Sequence, residues 1–303
     1  MRIVVGICTY RRRSLLDTLE SIAAQEIPSG ATLEVIVADN DETAAQRDSI
    51  VAYCIDLGLS FTYVHAPARN ISVARNACMD AARGSVLVFI DDDEIADPGW
   101  LIGLVTAWQE SGAAVVFGPA HAIYPEVAPH WMRKNDFHSN TPVRRRGMVE
   151  TGNTSNVLID LGNPRVSNMR FDLAFGRTGG EDVDFFFRLN RAGAEMTIAD
   201  DALVREKVVP NRLRFDWLVR RRFMTGAIYG TCVAPDDLLR RSTVFFCSML
   251  KAAYCGLRAL LVVPRLDRCT FWIMRSVFHF GVLSGCIKPP KREVYGLSAP
   301  VQN

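Results

Sequence analysis

The chain has 303 residues, of which 49% are hydrophobic and 22% charged, with a formal net charge of +2. That length allows one large domain or two smaller ones with ample core, and the composition excludes wholesale disorder. The net charge says little by itself, but the acids concentrate in the first two thirds and the last third is basic and apolar.

The apolar start, Met1 to Cys8, is too short and too quickly followed by Arg11, Arg12 and Arg13 for a signal peptide, and reads as a first strand over 3–8. Leu15, Leu16, Leu19, Ile22 and Ala23 recur at helical spacing over 14–24, and Pro28, Ser29 and Gly30 end that helix. A second strand over 33–38 ends at Asp39, Asn40 and Asp41, and a helix follows over 43–57. A third strand is expected over 60–65, a helix over 70–82 and a fourth strand over 86–90. Next come a helix over 98–110, with Asp97 as cap and Pro98 in its first turn, and a fifth strand over 113–118. Strand and helix thus alternate, which predicts a mostly parallel sheet with right-handed crossovers and helices on both faces.

The fourth strand, Val86-Leu87-Val88-Phe89-Ile90, runs straight into Asp91, Asp92, Asp93 and Glu94. A continuous apolar run of this length reads as a strand buried on both faces. Four adjacent carboxylates cannot be buried together without a counter-charge, and a divalent cation carrying a phosphorylated ligand would satisfy them. A solvated acidic turn reads equally well from these residues alone. If the first four strands are parallel, Thr9 and Tyr10, Asp39, Arg69 and Asn70, and the acidic run all emerge at one edge of the sheet, where open α/β sheets bind ligands.

The stretch 119–150 holds scattered prolines, Trp131 and Arg144, Arg145 and Arg146, and reads as a long loop. Thr151-Gly152-Asn153 turns into a strand reaching Ile159, and Glu181-Asp182 opens a helix ended by Gly193. In that helix Asp184 reads as a surface acid, with Arg188 and Asn190 facing outward. Two short strands follow near 195–198 and 202–208. The stretch 215–229 is a basic helix carrying Arg220, Arg221 and Arg222, and 243–264 and 270–287 are long and apolar but interrupted by Lys251, Arg258, Arg275 and His279. No run of 18 uncharged apolar residues occurs, so no clean membrane span is expected. The eight cysteines lack metal or redox spacing and read as reduced thiols, with a cytosolic exposure, and the five histidines form no ligand pair. No dinucleotide fingerprint, P-loop or nucleophile elbow is present.

In combination these segments resemble a known family. Cys8-Thr9-Tyr10-Arg11-Arg12, Val37-Ala38-Asp39-Asn40, Ala74-Arg75-Asn76, Phe89-Ile90-Asp91-Asp92-Asp93, Thr151-Gly152-Asn153 and Gly180-Glu181-Asp182-Val183-Asp184-Phe185 look like the ordered motifs of inverting family 2 glycosyltransferases, over roughly residues 1 to 225. Within that family the chain is similar to the ExoM-type enzymes that extend exopolysaccharides such as succinoglycan. The resemblance implies a GT-A fold over 1–210, with a donor-binding half at 1–120 and an acceptor-binding half at 121–210, and a C-terminal helical, membrane-associating region over 211–303.

It also implies transfer of one hexose, expected to be glucose, from a UDP-sugar to a polyprenyl-diphosphate-linked saccharide on the cytoplasmic face of the inner membrane, with Mg²⁺ or Mn²⁺ and no nucleic acid. On the family's pattern Thr9, Tyr10, Arg12, Asp39, Arg69, Asn70, Arg75, Asp91 and Asp92 bind the donor. Asp91 and Asp93 hold the metal, and Gly152 and Asn153 meet the acceptor. Asp182 is the catalytic base, and Glu181 orients its neighbours. The bland readings are a helix cap for Asp39, core packing for Tyr10, a surface charge for Arg75 and ordinary acid placement at a helix start for Asp182. Val219-Arg220-Arg221-Arg222-Phe223 lacks the Gln and Trp of the family's processive members, which points to single-sugar addition. The apolar C-terminal stretches read as in-plane amphipathic helices or as a globular helical subdomain. A second reading, a non-catalytic membrane-associated sugar-nucleotide scaffold or sensor, is opposed by retention of both acidic pairs.

Overall fold

The computed structural model describes residues 1–145 and 147–288. Arg146, and the part of the expected C-terminal region beyond 288, lie outside the described residues. The chain divides into two compact units. One gathers Met1–His121 with Asn140–Glu206, and the other gathers Ala122–Ser139 with the described residues 207–288. The second unit therefore includes part of the stretch that the sequence reading assigned to the acceptor-binding half.

The first unit begins β1 (Arg2–Thr9), α1 (Leu15–Ala23), β2 (Thr32–Asp39), α2 (Arg47–Asp56), β3 (Phe61–His65), α3 (Ile71–Ala81) and β4 (Val86–Ile90). It continues through β5 (Glu94–Ala96), α4 (Trp100–Ser111), β6 (Val115–Phe117) and β7 (Ala120–Ile123). After α5 (His130–Asn135), which belongs to the second unit, come β8 (Asn156–Asp160), α6 (Glu181–Arg191), β9 (Met196–Ile198) and β10 (Val204–Lys207).

Seven strands form one sheet in the order β3-β2-β1-β4-β8-β6-β9. β1, β2, β3 and β4 are parallel, so Thr9 and Asp39 sit side by side in register at the carboxyl end. β8 runs antiparallel between β4 and β6, which makes the sheet mixed. The remaining strands form a smaller sheet in the order β5-β10-β7.

Alternation along the strands sorts the core into two layers. Ile3, Val5, Ile7, Val35, Val37, Val86, Val88 and Ile90 pack with Leu15, Leu19, Trp100 and Leu104 on one face. Val4, Ile36, Leu87, Phe89, Val157 and Ile159 pack with Cys78, Met79, Phe185, Phe186 and Leu189 on the other. This double coverage explains why β4 is an unbroken apolar run.

Several expectations are corrected. The second helix starts at Arg47, not 43. The fourth starts at Trp100, and its cap is Gly99 at φ 80, not Asp97 with Pro98 in the first turn. Asp97 instead accepts two bonds of 2.7 Å from the Arg205 guanidinium. Behind this error lies β5, a short strand directly after the acids that no periodicity could reveal. The stretch 119–150 is not a structureless loop, since it contains β7 and α5. Asp184 is buried rather than a surface acid, and accepts from Arg188 Nε at 2.7 Å.

In the second unit α7 (Phe215–Cys232), α8 (Leu238–Leu261) and α9 (Leu266–Ile287) follow a 3-10 turn at Pro210–Arg212. α7 and α9 touch backbone to backbone. A Cβ at Gly226 or Gly230 of α7 would meet the carbonyl oxygens of Phe278 or Val282 at 2.0 and 2.3 Å. One at Gly281 or Gly285 of α9 would meet those of Phe223 or Ala227 at 2.1 and 2.0 Å. Such small-residue contact lets helices approach closely without large side chains between them. Lys134 pairs with Asp267 at 2.6 Å and ties α5 to α9. Although uninterrupted apolar runs are missing, α8 and α9 are each long and apolar enough to cross a membrane by length and composition alone.

Candidate active site

The parallel register delivers the ends of β1, β2 and β4 to one edge of the first unit. Thr9 is buried and its hydroxyl donates to Asp92 Oδ2 at 2.8 Å. Arg12 bonds Asp93 and lies 3.5 Å from Asp92 Oδ1. The acids therefore turn back over the end of β1 instead of fanning into solvent. Burial pushes the Asp92 carboxyl up to about 7, against Arg12 and with help from Asp93. Partial desolvation likewise pushes the half-exposed Asp91 up to about 6, opposed by Arg75 and assisted by Asp93 and Glu206.

Glu94, which the sequence reading left out of the site, is buried and held well above the usual carboxylate range by that burial and by Asp91. Its Oε2 accepts the Asp91 amide at 3.1 Å, and its carbonyl accepts the Thr18 hydroxyl at 2.7 Å. It staples the acidic turn. Only its place as the fourth acid in the run signalled it.

Asp39 is buried, with its two oxygens accepting the Asp41 amide at 2.9 Å and the Tyr63 hydroxyl at 2.6 Å. It does not cap α2, whose cap is Gln46. Asp41 is clamped by Arg11 through bonds of 2.8 and 2.7 Å, and that guanidinium holds the Asp41 carboxyl below its usual range. Arg69 pairs with Glu42. Asn70 caps α3 by accepting the Ser72 amide at 3.1 Å and donates to the Leu173 carbonyl at 2.9 Å. Its side chain thus starts the helix and ties down the loop before α6.

Arg75 is not a surface charge. It is buried on α3, bonds Glu181 at the start of α6, lies 3.9 Å from Asp91 Oδ1 and stacks over the Phe171 ring. Burial pushes the Glu181 carboxyl up to about 7, with Arg75 opposing and Asp182 adding. Asp182, next in the chain, is partly exposed, and its Oδ1 accepts the Val183 amide at 2.7 Å. One guanidinium therefore joins the acids after β4 to the acidic pair opening α6. Thr151 donates to the Val183 carbonyl at 3.2 Å, which brings the Thr151-Gly152-Asn153 turn to the same helix. Gly152 lies flat on Phe117, where a Cβ would come within 2.3 Å of the ring.

Among the described residues of this unit three buried oxygens have no protein partner: Tyr10 Oη, Thr154 Oγ1 and Glu181 Oε2. Each such atom costs about 1–3 kcal/mol unless something satisfies it. All three lie in or beside the segments singled out from sequence, although Thr154 itself was missed.

Among the described residues no group of three His, Cys, Asp or Glu is arranged to hold a metal ion. A cation that takes one or two carboxylates and completes its shell with phosphate oxygens and water needs no such cage. Asp91 and Asp93 fit that donor set, with side chains 46% and 22% exposed beside carboxyls already crowded by one another.

Residues 4–160 match the Glycosyl transferase family 2 family. The succinoglycan biosynthesis protein ExoM of Rhizobium meliloti is 39% identical over 297 residues, covering 98% of this chain and 96% of that protein. The glucosyl-dolichyl phosphate glucuronosyltransferase of Haloferax volcanii is 29% identical over 256 residues, 75% of each. Among solved structures, the mannosyltransferase PcManGT from Pyrobaculum calidifontis in complex with GDP-Man and Mn²⁺ matches with a TM-score of 0.62 at 16% identity, covering 94% of this chain and 86% of that one. TarS 1-349 of S. aureus in complex with UDP-GlcNAc matches with a TM-score of 0.54 at 14% identity, covering 94% and 90%. The chain belongs to glycosyltransferase family 2, and its α/β architecture is the GT-A fold with C-terminal helices.

Proposed function

We propose that this protein is an inverting transferase that moves one hexose from a UDP-sugar to a polyprenyl-diphosphate-linked saccharide during exopolysaccharide assembly, working at the cytoplasmic face of the inner membrane. The observation that carries this reading is the buried Arg75 guanidinium, which holds Glu181 beside Asp182 while reaching Asp91. It ties a group able to take a proton to a group able to face a diphosphate. The likeness to a succinoglycan biosynthesis protein favours the polysaccharide setting.

In this reading Asp182 accepts the proton of the acceptor hydroxyl as its oxygen attacks the anomeric carbon from the face opposite the nucleotide. The bond from that carbon to the diphosphate breaks, its electron pair leaves with the nucleoside diphosphate, and the configuration inverts. Asp91 and Asp93 would hold Mg²⁺ or Mn²⁺, which would supply positive charge against the leaving diphosphate. Thr9 and Arg12 keep the acids turned toward that end. Tyr10, Asp39, Arg69 and Asn70 form the nucleoside side, where Asn70 acts through the shape of the loop it caps. Gly152 and Asn153 border the acceptor.

The test is a donor screen with purified protein, Mn²⁺ and a native membrane lipid extract. Transfer of labelled hexose into the lipid fraction, with release of the nucleoside diphosphate, is expected. Nucleotide-sugar binding without transfer to any lipid would instead favour a non-catalytic sensor.

A further inference from the structure

α8 is divided lengthwise into three strips. Ser248, Ala252, Cys255 and Ala259 are buried, and Ser276 of α9 donates to the Ala252 carbonyl at 2.9 Å. On the opposite side Leu239, Phe246, Leu250, Leu257 and Leu261 repeat at helical spacing and are exposed, Leu239 to 81% and Leu250 to 67%. Along one border between these strips runs a line of three cations, while the fourth cation of the helix, Arg241, faces α9 and bonds the Cys286 carbonyl. Arg240, Lys251 and Arg258 are all exposed, and a separation of 18 residues, as between Arg240 and Arg258, is five full helical turns. Beyond its cap, Asp237, the helix carries no acid. Among the described residues nothing covers the apolar strip, and an apolar patch of this extent marks an interaction site.

We propose that this strip is a membrane-docking surface on which α8 lies in the plane of a bilayer rich in anionic headgroups. A strip of leucines bordered on one side by a line of cations matches hydrocarbon bordered by phosphates. Crossing the bilayer would carry Lys251, near the middle of the helix, deep into hydrocarbon, beyond what a lysine side chain can snorkel. A second copy of this chain on the strip would bring three more cations alongside, with no acid on α8 to meet them. The close glycine contacts of α7 with α9 fit the same picture, since they hold the helices together while leaving large apolar side chains free to face outward. The inference deepens the proposed function by naming where a lipid-linked acceptor is met, and rests on that reading only for this point.

The experiment mixes the purified full chain with phosphatidylcholine vesicles and with vesicles enriched in phosphatidylglycerol, and measures the bound fraction by flotation. Binding to the anionic vesicles is expected. It should weaken about tenfold in Arg240→Gln/Lys251→Gln and be lost in Leu250→Glu/Leu257→Glu, whose positions are exposed and whose fold is checked by circular dichroism. In the bound protein a membrane-impermeant amine reagent should still modify Lys251, read by peptide mass spectrometry. Protection of Lys251 until detergent is added would mean a crossing helix and overturn the proposal. So would vesicle binding unaffected by the paired glutamates, or a dimer in light scattering that those glutamates dissolve. Vesicle binding needs no sugar transfer. If binding fails while transfer to a detergent-solubilised acceptor persists, the docking surface alone is refuted. If binding holds and no donor is turned over, the proposed activity alone is refuted.

Discussion

Arg75 and Glu181 stand 106 residues apart in sequence and form a buried ion pair that joins α3 to the start of α6. Above about pH 7, where Glu181 carries its charge, removing one member leaves the other as an uncompensated buried charge, which costs about 3–5 kcal/mol. Arg75→Gln is therefore expected to lower unfolding stability by about 3 kcal/mol in urea titrations at pH 8, and by less at pH 5. Arg75→Lys should recover only part of this, because a point charge cannot bond Glu181 and face Asp91 with a planar fork. A near-neutral Arg75→Gln would show that the pair does not hold the two segments together.

Glu181 also gives the protein a pH signature. Its carboxyl is raised to about 7 by burial, so the folded state keeps a proton that the unfolded chain has already released between about pH 4.5 and 7. The folded state then binds more protons than the unfolded one, and the group's contribution to stability falls as pH rises through that window. Glu181→Gln, which cannot ionise, should remove this slope. Relative to wild type it should gain about 1–3 kcal/mol on going from pH 5 to pH 8, measured by denaturation at each pH. An identical offset at both pH values would contradict the assignment.

Tyr10 offers a cleaner separation of binding from folding. Its buried hydroxyl has no protein partner, so Tyr10→Phe should leave stability unchanged or raise it by up to about 1–3 kcal/mol. If that hydroxyl meets the nucleoside, the same variant should weaken nucleotide binding by about 1 kcal/mol, roughly fivefold, in calorimetry. Unchanged binding would return Tyr10 to simple packing.

The α7–α9 contact has its own test. Gly285→Ala places a methyl 2.0 Å from the Ala227 carbonyl oxygen, and backbone must shift to admit it. A loss of about 1–3 kcal/mol in the stability of the C-terminal helices is expected. Ser284→Ala, one residue away at a position that already carries a Cβ, should be close to neutral.

Much of the architecture was legible because strand and helix periods differ. Val86 to Ile90 could be read as a doubly covered strand, and its bounds coincide with β4. Asn70 was seen at the start of a helix because its side chain satisfies an amide there, which is a local interaction. What could not be read depends on distant partners. The three residues of β5 are a strand only because β10 pairs with them. Asp184 looks like a surface acid until Arg188 and the packing of α6 enclose it. Arg75 reads as an ordinary helix charge, and only the fold brings Glu181 to it. The order of the acidic motifs was visible, but not the guanidinium that joins them.

The proposed transfer turns on Asp182 as the proton acceptor, beside the buried Glu181. The decisive measurement compares wild type and Asp182→Asn for hexose transfer and, by calorimetry, for donor binding in the presence of Mn²⁺. Transfer should fall by about a thousandfold while donor affinity changes little, since a lost general base costs about 10²–10⁴ in rate. Transfer at the wild-type rate in Asp182→Asn would contradict the mechanism.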